Sequence, residues 1–351
     1  MNPFLHKIYQ WYTENRRDLP WRSTTDPYLI WVSETILQQT RISQGLPYYY
    51  RFIDRFPNVK SLAVAPADEL MKIWEGLGYY SRARNMQTAA KMIVTEMGGI
   101  FPPDYNTLRK LKGIGDYTAS AVASIVYNQP HPVIDGNVIR VLSRYFGISE
   151  PAGSARGRKA FAAKASEIMN PADPGFHNQA LMEFGALCCV PRNPACTGCP
   201  LQNSCFAWLN DMVAALPVKT KKAPRKIRYF YFYLVEDPHN MIIVKREMDD
   251  IWKNLYQLPL MEAGSELPDA EILSNGLTAE LLRGNPAEIR EISHSYRHEL
   301  THQLIMARFI RIRMTNLAPM ASWITIKKKE IHKFAFPVLV RNYLARKGLK
   351  V

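Results

Sequence analysis

Five cysteines lie between Cys188 and Cys205, and four of them, Cys189, Cys196, Cys199 and Cys205, are spaced C-x6-C-x2-C-x5-C. Four thiolates this close in sequence can wrap one tetrahedral zinc ion or one cube of four irons. Zinc usually takes two paired C-x2-C knuckles, whereas the wide, narrow, wide spacing here favours the cube, whose corners lie further apart. Protein would fill all four ligand positions, so the site is structural in either case, with Arg192 on a basic rim. Cys188 falls outside the spacing and reads as a small packed hydrophobe. A second stretch with chemical potential is Leu111–Arg140, LKGIGDYTASAVASIVYNQPHPVIDGNVIR. Gly113 and Gly115 make a turn through which a ligand can come close to the backbone, and the first amides of the following helix point outward unpaired. Such an end attracts phosphate. Asp135 follows about twenty residues on. A carboxylate beside a nucleic-acid backbone is out of place on charge grounds unless it does chemistry. The alternative is a helix–turn–helix that merely packs, with Asp135 as an ordinary helix N-cap.

These residues need elements to hold them. A helix is expected over residues 3–15, with Phe4, Ile8, Trp11 and Tyr12 on one face. From Pro27 to about Tyr127 the spacing is helical, broken near Pro47, Pro57, Pro66, Gly76–Gly78, Gly98–Gly99 and Gly113–Gly115, which predicts about six helices and no strand. Further helices are expected over Val138–Tyr145, Gly157–Met169 and Phe176–Leu187, followed by the cysteine loop. After Leu209 the character changes. A basic, proline-punctuated linker occupies 210–226. Arg228–Glu236 and Met241–Lys245 are aromatic and β-branched, residues 289–313 predict two more strands, and helices are expected near Ala270–Leu282 and Pro337–Ala345. The reading is therefore two domains, a helical one over 1–209 (a six-helix bundle at about 23–130, the hairpin at 109–126, the cysteine loop at 189–205) and an α+β one over 227–351.

The 351 residues carry a formal net charge of +14 with 47% apolar content. That balance points to a polyanionic partner, nucleic acid first and an anionic membrane surface second. No apolar run is long enough to span a bilayer, and the N-terminus lacks the apolar core of a signal peptide. Clustered cysteines in such a chain point to a metal or cluster site and not to a secreted disulfide framework.

The cysteine spacing, at the end of a helical domain and after the L-x-G-x-G turn and its following Asp, resembles the helix-hairpin-helix DNA glycosylase superfamily. Trp31-Val32-Ser33-Glu34-Thr35-Ile36-Leu37-Gln38-Gln39-Thr40 is similar to the W-x-S-E-x-x-L-Q-Q-T helix of its adenine glycosylases of the MutY type. The resemblance implies an N-terminal all-α helix-hairpin-helix glycosylase domain with an iron–sulfur cluster loop, one 4Fe-4S cluster on the four cysteines, and a C-terminal α+β Nudix-like domain. It implies a monofunctional enzyme of base-excision repair that hydrolyses the N-glycosidic bond of adenine mispaired with 8-oxoguanine or guanine in duplex DNA. It is expected to work as a cytoplasmic, nucleoid-associated monomer with no membrane partner. In the lyase branch of the superfamily a nucleophilic Lys follows the second hairpin glycine by two positions. Tyr117 stands there, and a phenol cannot form the Schiff base that strand cleavage requires. Lys112 departs from the usual Pro and adds a cation beside the phosphate.

Within that resemblance Glu34 matches the catalytic acid. The chemistry argues the same way, because adenine is a poor leaving group until protonated and the sugar develops oxocarbenium character. Two carboxylates in unlike environments divide these tasks. Glu34 lies among Trp31, Ile36 and Leu37, so desolvation is expected to keep it protonated, while Asp135 stays ionised to stabilise or capture the sugar. Tyr117 and Asn137 match the partners of the catalytic Asp. Trp21, Arg22, Leu37 and Gln179 match the adenine pocket. Gln39, Leu77 and Tyr79 match DNA-contacting positions, Gln39 and Tyr79 as wedges beside a flipped base, and Arg82 and Arg84 are placed to bind phosphate. The C-terminal half carries Ile251-Trp252-Lys253-Asn254-Leu255-Tyr256-Gln257-Leu258-Pro259, similar to the Nudix L-W-x-G-L-W-E-F-P, but Glu262 to Gly284 has no Glu-dense R-E-x-x-E-E box. That implies a domain that binds and does not hydrolyse. Leu300, Thr301 and His302 stand for the family's 8-oxoguanine-reading F-S-H loop, chosen over His294–His298. The competing readings are a thymine or uracil mismatch glycosylase on the same fold, a non-catalytic iron–sulfur DNA-binding protein and a Nudix hydrolase.

Overall fold

Apolar periodicity and proline breaks set the amino-terminal elements. The computed structural model describes residues 2–220, 224–282, 287–317 and 323–351. Lys221, Lys222 and Ala223 of the basic linker, and Gly284 at the end of the stretch searched for a Nudix box, lie outside them. The helices are α1 Pro3–Asn15, α2 Pro27–Leu37, α3 Ile42–Arg55, α4 Val59–Val64, α5 Ala67–Trp74, α6 Ser81–Glu96, α7 Tyr105–Lys110, α8 Asp116–Tyr127, α9 Gly136–Phe146, α10 Ala155–Glu167, α11 Pro174–Leu187 and the short α12 Phe206–Leu209. Residues 27–127 thus hold seven helices where six were expected. Asp26 and Asp104 cap α2 and α7 by accepting from Tyr28 N (2.8 Å) and Thr107 N (2.8 Å), the positions where such side chains replace missing helix bonds. Among the described residues none of the helices is long and apolar enough to cross a membrane.

The chain divides into two compact units, residues 1–64 with 85–222, and 65–84 with 223–351. In the first, α1, α9, α10 and α11 share a core built on Phe4, Ile8, Tyr12, Val141, Leu142, Phe161 and Phe184. In the second, a mixed sheet has strands β1 Lys226–Glu236, β2 Asn240–Lys245, β3 Tyr256–Gln257, β4 Leu260–Ala263, β5 Ala287–Ile292, β6 Tyr296–Glu299, β7 Gln303–Met314 and β8 Ile324–Lys327, in the order β3-β2-β1-β7-β5. Central β1 runs parallel to β7 from Lys226↔Gln303 to Glu236↔Arg313. Phe230 to Val235 are all buried, as expected of a strand covered on both faces.

Three of these strands, not two, fall in 287–314. The helix expected near 270–282 is two, α13 Asp269–Ser274 and α14 Gly276–Leu282. Asn275 is the cause: its backbone is extended and its Oδ1 accepts from Thr278 N at 3.0 Å, so the helix is stopped and restarted. The last helix is α15 Val338–Arg346. Segment 65–84 is tied into this unit by Asp68, which accepts from Lys245 Nζ (2.6 Å) and Tyr256 OH (2.9 Å), and by Glu75, which accepts from Phe336 N (2.7 Å).

Candidate active site

Helix α2 is buried on almost every side from Tyr28 to Ile36. A carboxylate in its last turns therefore enters the protein interior, and Glu34 is 6% exposed. Burial pushes Glu34 up to about 7; a hydrogen bond from Tyr117 OH to its Oε2 and the charge of Arg22 pull it back, and Asp135 pushes it further up. Tyr117 comes from the first turn of α8. Burial, with the two carboxylates beside it, holds its phenol well above the usual range, so it remains a donor.

Asp135 ends an extended connection and caps α9. Its Oδ1 accepts from Asn137 N (2.9 Å) and Val138 N (2.7 Å), and its Oδ2 accepts from Asn137 Nδ2 (2.7 Å). The capping alternative is thus real, worth roughly 1 kcal/mol to the helix, and it also fixes a carboxylate whose charge Glu34 feels. Burial pushes Asp135 upward too, against these three hydrogen bonds and Arg140. What separates the two acids is their donors: three N–H bonds hold Asp135, whereas one phenol reaches Glu34. Hydrogen bonds to the charged form favour ionisation, so Glu34 is the better acid store and Asp135 the better anion.

Around this pair the structure places Arg22, whose charge is felt by Glu34. Burial pushes Glu183 of α11 upward, but it accepts from Arg17 Nε at 2.8 Å, from Arg22 Nη1 at 2.9 Å and from Arg17 N at 3.0 Å, and together these donors pull it down to about 2. Gln179, one turn earlier, accepts from Tyr12 OH at 3.0 Å. Trp21 is buried edge-on against Tyr49, ring centroids 5.1 Å apart. Leu37 is half-buried and Gln39 is exposed with φ 59°.

Arg17, Glu183 and Arg140 were not read from the sequence. Arg140 Nη2 donates to Asn137 Oδ1 (2.9 Å), while its Nε donates to the carbonyl of Cys189 (2.6 Å). Its i, i+3 spacing from Asn137 was the available signal.

The hairpin lies between α7 and α8. Gly113 has φ +81°, and a Cβ there would come within 2.6 Å of Asn85 Cβ. No side chain caps α8, which leaves its leading amides for a ligand. Asp116 beside them is paired with Arg109 at 2.5 Å. Gly113→Val is expected to cost about 1–3 kcal/mol of backbone strain and to weaken binding to any duplex about tenfold or more, read by fluorescence anisotropy. Unchanged affinity would remove the hairpin from the interface.

In the second unit Tyr79, exposed and at φ 47°, hydrogen-bonds Thr301 at 2.6 Å between Tyr79 OH and the Thr301 Oγ1. Leu300, Thr301 and His302 form the β6–β7 turn, closed by Leu300 N donating to Gln303 O at 2.8 Å. Thr301 and His302 are exposed, Leu300 is half-buried and Leu77 is buried. His298 instead packs towards Trp252, centroids 6.0 Å apart. The arginines expected at phosphate are engaged elsewhere. Arg82 is 8% exposed and lies over Trp74, and Arg84 Nη1 donates to Lys253 O at 2.8 Å. Burying its aliphatic stem over Trp74 is the better use of Arg82 in the first turn of α6.

The five cysteines are free thiols, and all five line one cavity with Val141, Arg144, Phe184 and Leu201. Among the described residues no three donors converge as one metal ion would require. Walls bearing separate thiols suit a cube with a sulfur at each corner. Arg144 Nη1 lies 3.4 Å from Cys189 Sγ, and its carbonyl accepts from Cys205 Sγ at 3.5 Å. A cation there offsets the charge that four thiolates bring, so the donor set fits a 4Fe-4S cluster.

A family model for HhH-GPD superfamily base excision DNA repair proteins matches residues 32–167, and a NUDIX domain model matches residues 230–346. The chain is 35% identical over 307 residues to the adenine DNA glycosylase of Buchnera aphidicola subsp. Baizongia pistaciae (strain Bp), covering 85% of this chain and 83% of that protein. It is 32% identical over 382 residues to the adenine DNA glycosylase of Mus musculus, covering 92% of this chain and 74% of that one. Among solved structures, a thermostable thymine-DNA glycosylase is similar with TM-score 0.55 and 28% identity over 59% of this chain and 95% of that one. A non-covalent endonuclease III–DNA complex is similar in fold, with TM-score 0.51 and 21% identity over 60% of this chain and 95% of that one.

Proposed function

Since this chain belongs to the adenine DNA glycosylases of the HhH-GPD base-excision repair superfamily, we propose that Glu34 is the acid and Asp135 the anion of a monofunctional excision of adenine. The observation that carries this is the buried Glu34 carboxyl, pushed up to about 7, hydrogen-bonded by Tyr117 and raised further by the charge of an Asp135 held by three N–H donors. Glu34 gives its proton to the departing adenine. Asp135 stabilises the cationic sugar, or captures it, until water completes the hydrolysis and leaves an abasic site. Tyr117 orients Glu34, and Asn137 orients Asp135. The flipped base enters a pocket formed by Trp21, Arg22, Leu37 and Gln179, with Gln39, Leu77 and Tyr79 at the duplex. Gly113 and Gly115 grip the phosphate.

The substrate is duplex DNA with adenine opposite 8-oxoguanine or guanine, and Leu300, Thr301 and His302 read the opposite base. The Tyr79–Thr301 hydrogen bond supports this choice of loop, since it brings wedge and reader together. Cys189, Cys196, Cys199 and Cys205 hold one 4Fe-4S cluster, which when bound fixes the loop structurally. The protein acts as a monomer at the nucleoid. In sequence order 1–209 carries the catalytic residues, 210–226 is the linker and 227–351 carries the reader loop, with 65–84 grouped with the reader unit.

The test is incubation with duplexes carrying A opposite 8-oxoguanine, A opposite G, T opposite G and U opposite G, followed by heating with or without alkali. Cleavage at A that needs alkali is expected. Cleavage without alkali would mean a lyase and defeat the monofunctional assignment. Cleavage at T or U alone would place the pocket with the thymine glycosylases.

A further inference from the structure

We infer that Arg228 and Gln303 are positioning residues for the reading of the base opposite adenine: the guanidinium holds the loop of Leu300, Thr301 and His302 in place through the Gln303 amide. The inference rests on the reader assignment proposed above. Strands β1 and β7 run in register from Lys226↔Gln303, with Arg228 opposite Ile305, so Arg228 and Gln303 stand on one face of the sheet. Arg228 is 9% exposed. A guanidinium carries five N–H donors in a fixed fork and no acceptor, and here each donor has an acceptor. Nε and Nη2 each donate to Glu262 of β4 at 2.6 Å, and Nη1 and Nη2 donate to Asp250 at 2.9 and 2.8 Å. The remaining N–H, on Nη1, goes to Gln303 Oε1 at 3.1 Å. Two carboxylates gripped in bidentate fashion leave the fork no freedom to turn, so this last donor has a single direction.

The anchor is broad. Asp250 also accepts from Arg246 Nη2 at 2.8 Å, and Arg246 Nη1 donates to Gln257 Oε1 of β3 at 2.9 Å. The donor offered to Gln303 is thereby tied to β3 and β4 as well as to β1. Gln303 directly follows the loop. Its carbonyl accepts from Leu300 N at 2.8 Å, and the carbonyl of His302 accepts from Lys226 N at 3.2 Å. Thr301 and His302 are exposed, and an exposed loop that must order itself on DNA loses affinity to that ordering, whereas one fixed in advance does not. 8-Oxoguanine differs from guanine by an added oxygen and an added N–H. Telling them apart depends on donors and acceptors of the loop standing where those atoms arrive.

The test is single-turnover excision by the full chain of adenine opposite 8-oxoguanine and adenine opposite guanine, with the ratio of the two rates as the readout. Removing Arg228 would unpair Asp250 and Glu262 together and disturb the sheet, so the residue to change is Gln303. Gln303→Leu keeps most of the volume and loses the acceptor. It is expected to lower the ratio about tenfold, the scale of a lost hydrogen bond to a charged group, with the rate opposite guanine and the thermal midpoint close to wild type. Gln303→Glu restores an acceptor on the same stem and is expected to keep the wild-type ratio. An unchanged ratio in Gln303→Leu would overturn the inference. Equal loss in the Leu and Glu variants would overturn it too, as would rates that fall together on both duplexes, which a general loss of fold produces. The Thr301→Ala/His302→Ala double variant tests the reading beneath it. A ratio that survives that double variant, or a wild-type chain with no preference between the duplexes, would overturn the loop as the reader.

Discussion

Replacing Glu34 by Gln is expected to lower adenine excision about 10³-fold, inside the range that general acid catalysis contributes, while leaving affinity for the mispaired duplex close to wild type. Gln fills nearly the same volume and can still accept from Tyr117, so the buried end of α2 has no reason to rearrange. It cannot supply a proton. Because the working form of Glu34 is protonated, wild-type excision is expected to fall as pH rises through about 7, and the residual activity of Glu34→Gln is expected to lack that limb. Stability supplies a second readout. A carboxyl with a folded pKa of about 7 and an ordinary unfolded value of 4.5 binds more protons folded than unfolded between those values. Stability from this group is therefore fully present below pH 4.5 and declines as pH rises towards 7. The shift corresponds to about 3 kcal/mol. The stability of Glu34→Gln relative to wild type should accordingly increase from pH 5 to pH 8, followed by urea denaturation. A wild-type rate that stays flat from pH 6 to 9, or a variant that still excises, would remove Glu34 from the acid's role.

The parts of this site that could be read from the sequence are those whose chemistry is local. The cysteine spacing, the Gly113 turn and the Asp135-Gly136-Asn137 cap each fit within a few residues. Their backbone consequences, a loop around one cavity, a φ of +81° and a helix N-cap, are set there. Glu34 was legible because its flanking residues match the W-x-S-E-x-x-L-Q-Q-T helix and Trp31, Ile36 and Leu37 stand near it in sequence, which predicts the burial that the fold gives it. Glu183 was not, because its meaning depends on Arg17 and Arg22, more than 160 positions away. Nor was the grouping of 65–84 with the carboxy-terminal unit, which depends on pairs such as Asp68 with Lys245. Arg82 and Arg84 show the opposite failure. Two arginines in a loop of a basic protein read as phosphate ligands, yet packing over Trp74 and a carbonyl of Lys253 takes them both. Asn275 is a smaller case: its side chain splits one expected helix in two, a competition with the backbone that apolar periodicity does not register.

Asp135→Asn is the substitution that separates an anion from a cap. Asn and Asp serve almost equally as helix N-caps, so the bonds from Asn137 N and Val138 N survive through the amide oxygen, and α9 is expected to keep its start. What disappears is the charge, together with the acceptor for Asn137 Nδ2. A fixed anion aimed at a developing cation is worth most where water is excluded. Excision is therefore expected to fall about 10²–10³-fold with little change in the thermal midpoint. The pH profile adds a check that a capping role would not move. Asp135 raises Glu34 through like-charge repulsion, so its neutralisation lowers the Glu34 pKa, and the remaining activity should decline at a lower pH than in wild type. Single-turnover excision across pH 5 to 9 measures both. Wild-type rates in Asp135→Asn would reduce Asp135 to the cap of α9 and leave the sugar cation to be stabilised elsewhere. A lost rate with an unmoved profile would mean that Asp135 and Glu34 act without sensing each other, against the repulsion by which Asp135 raises Glu34.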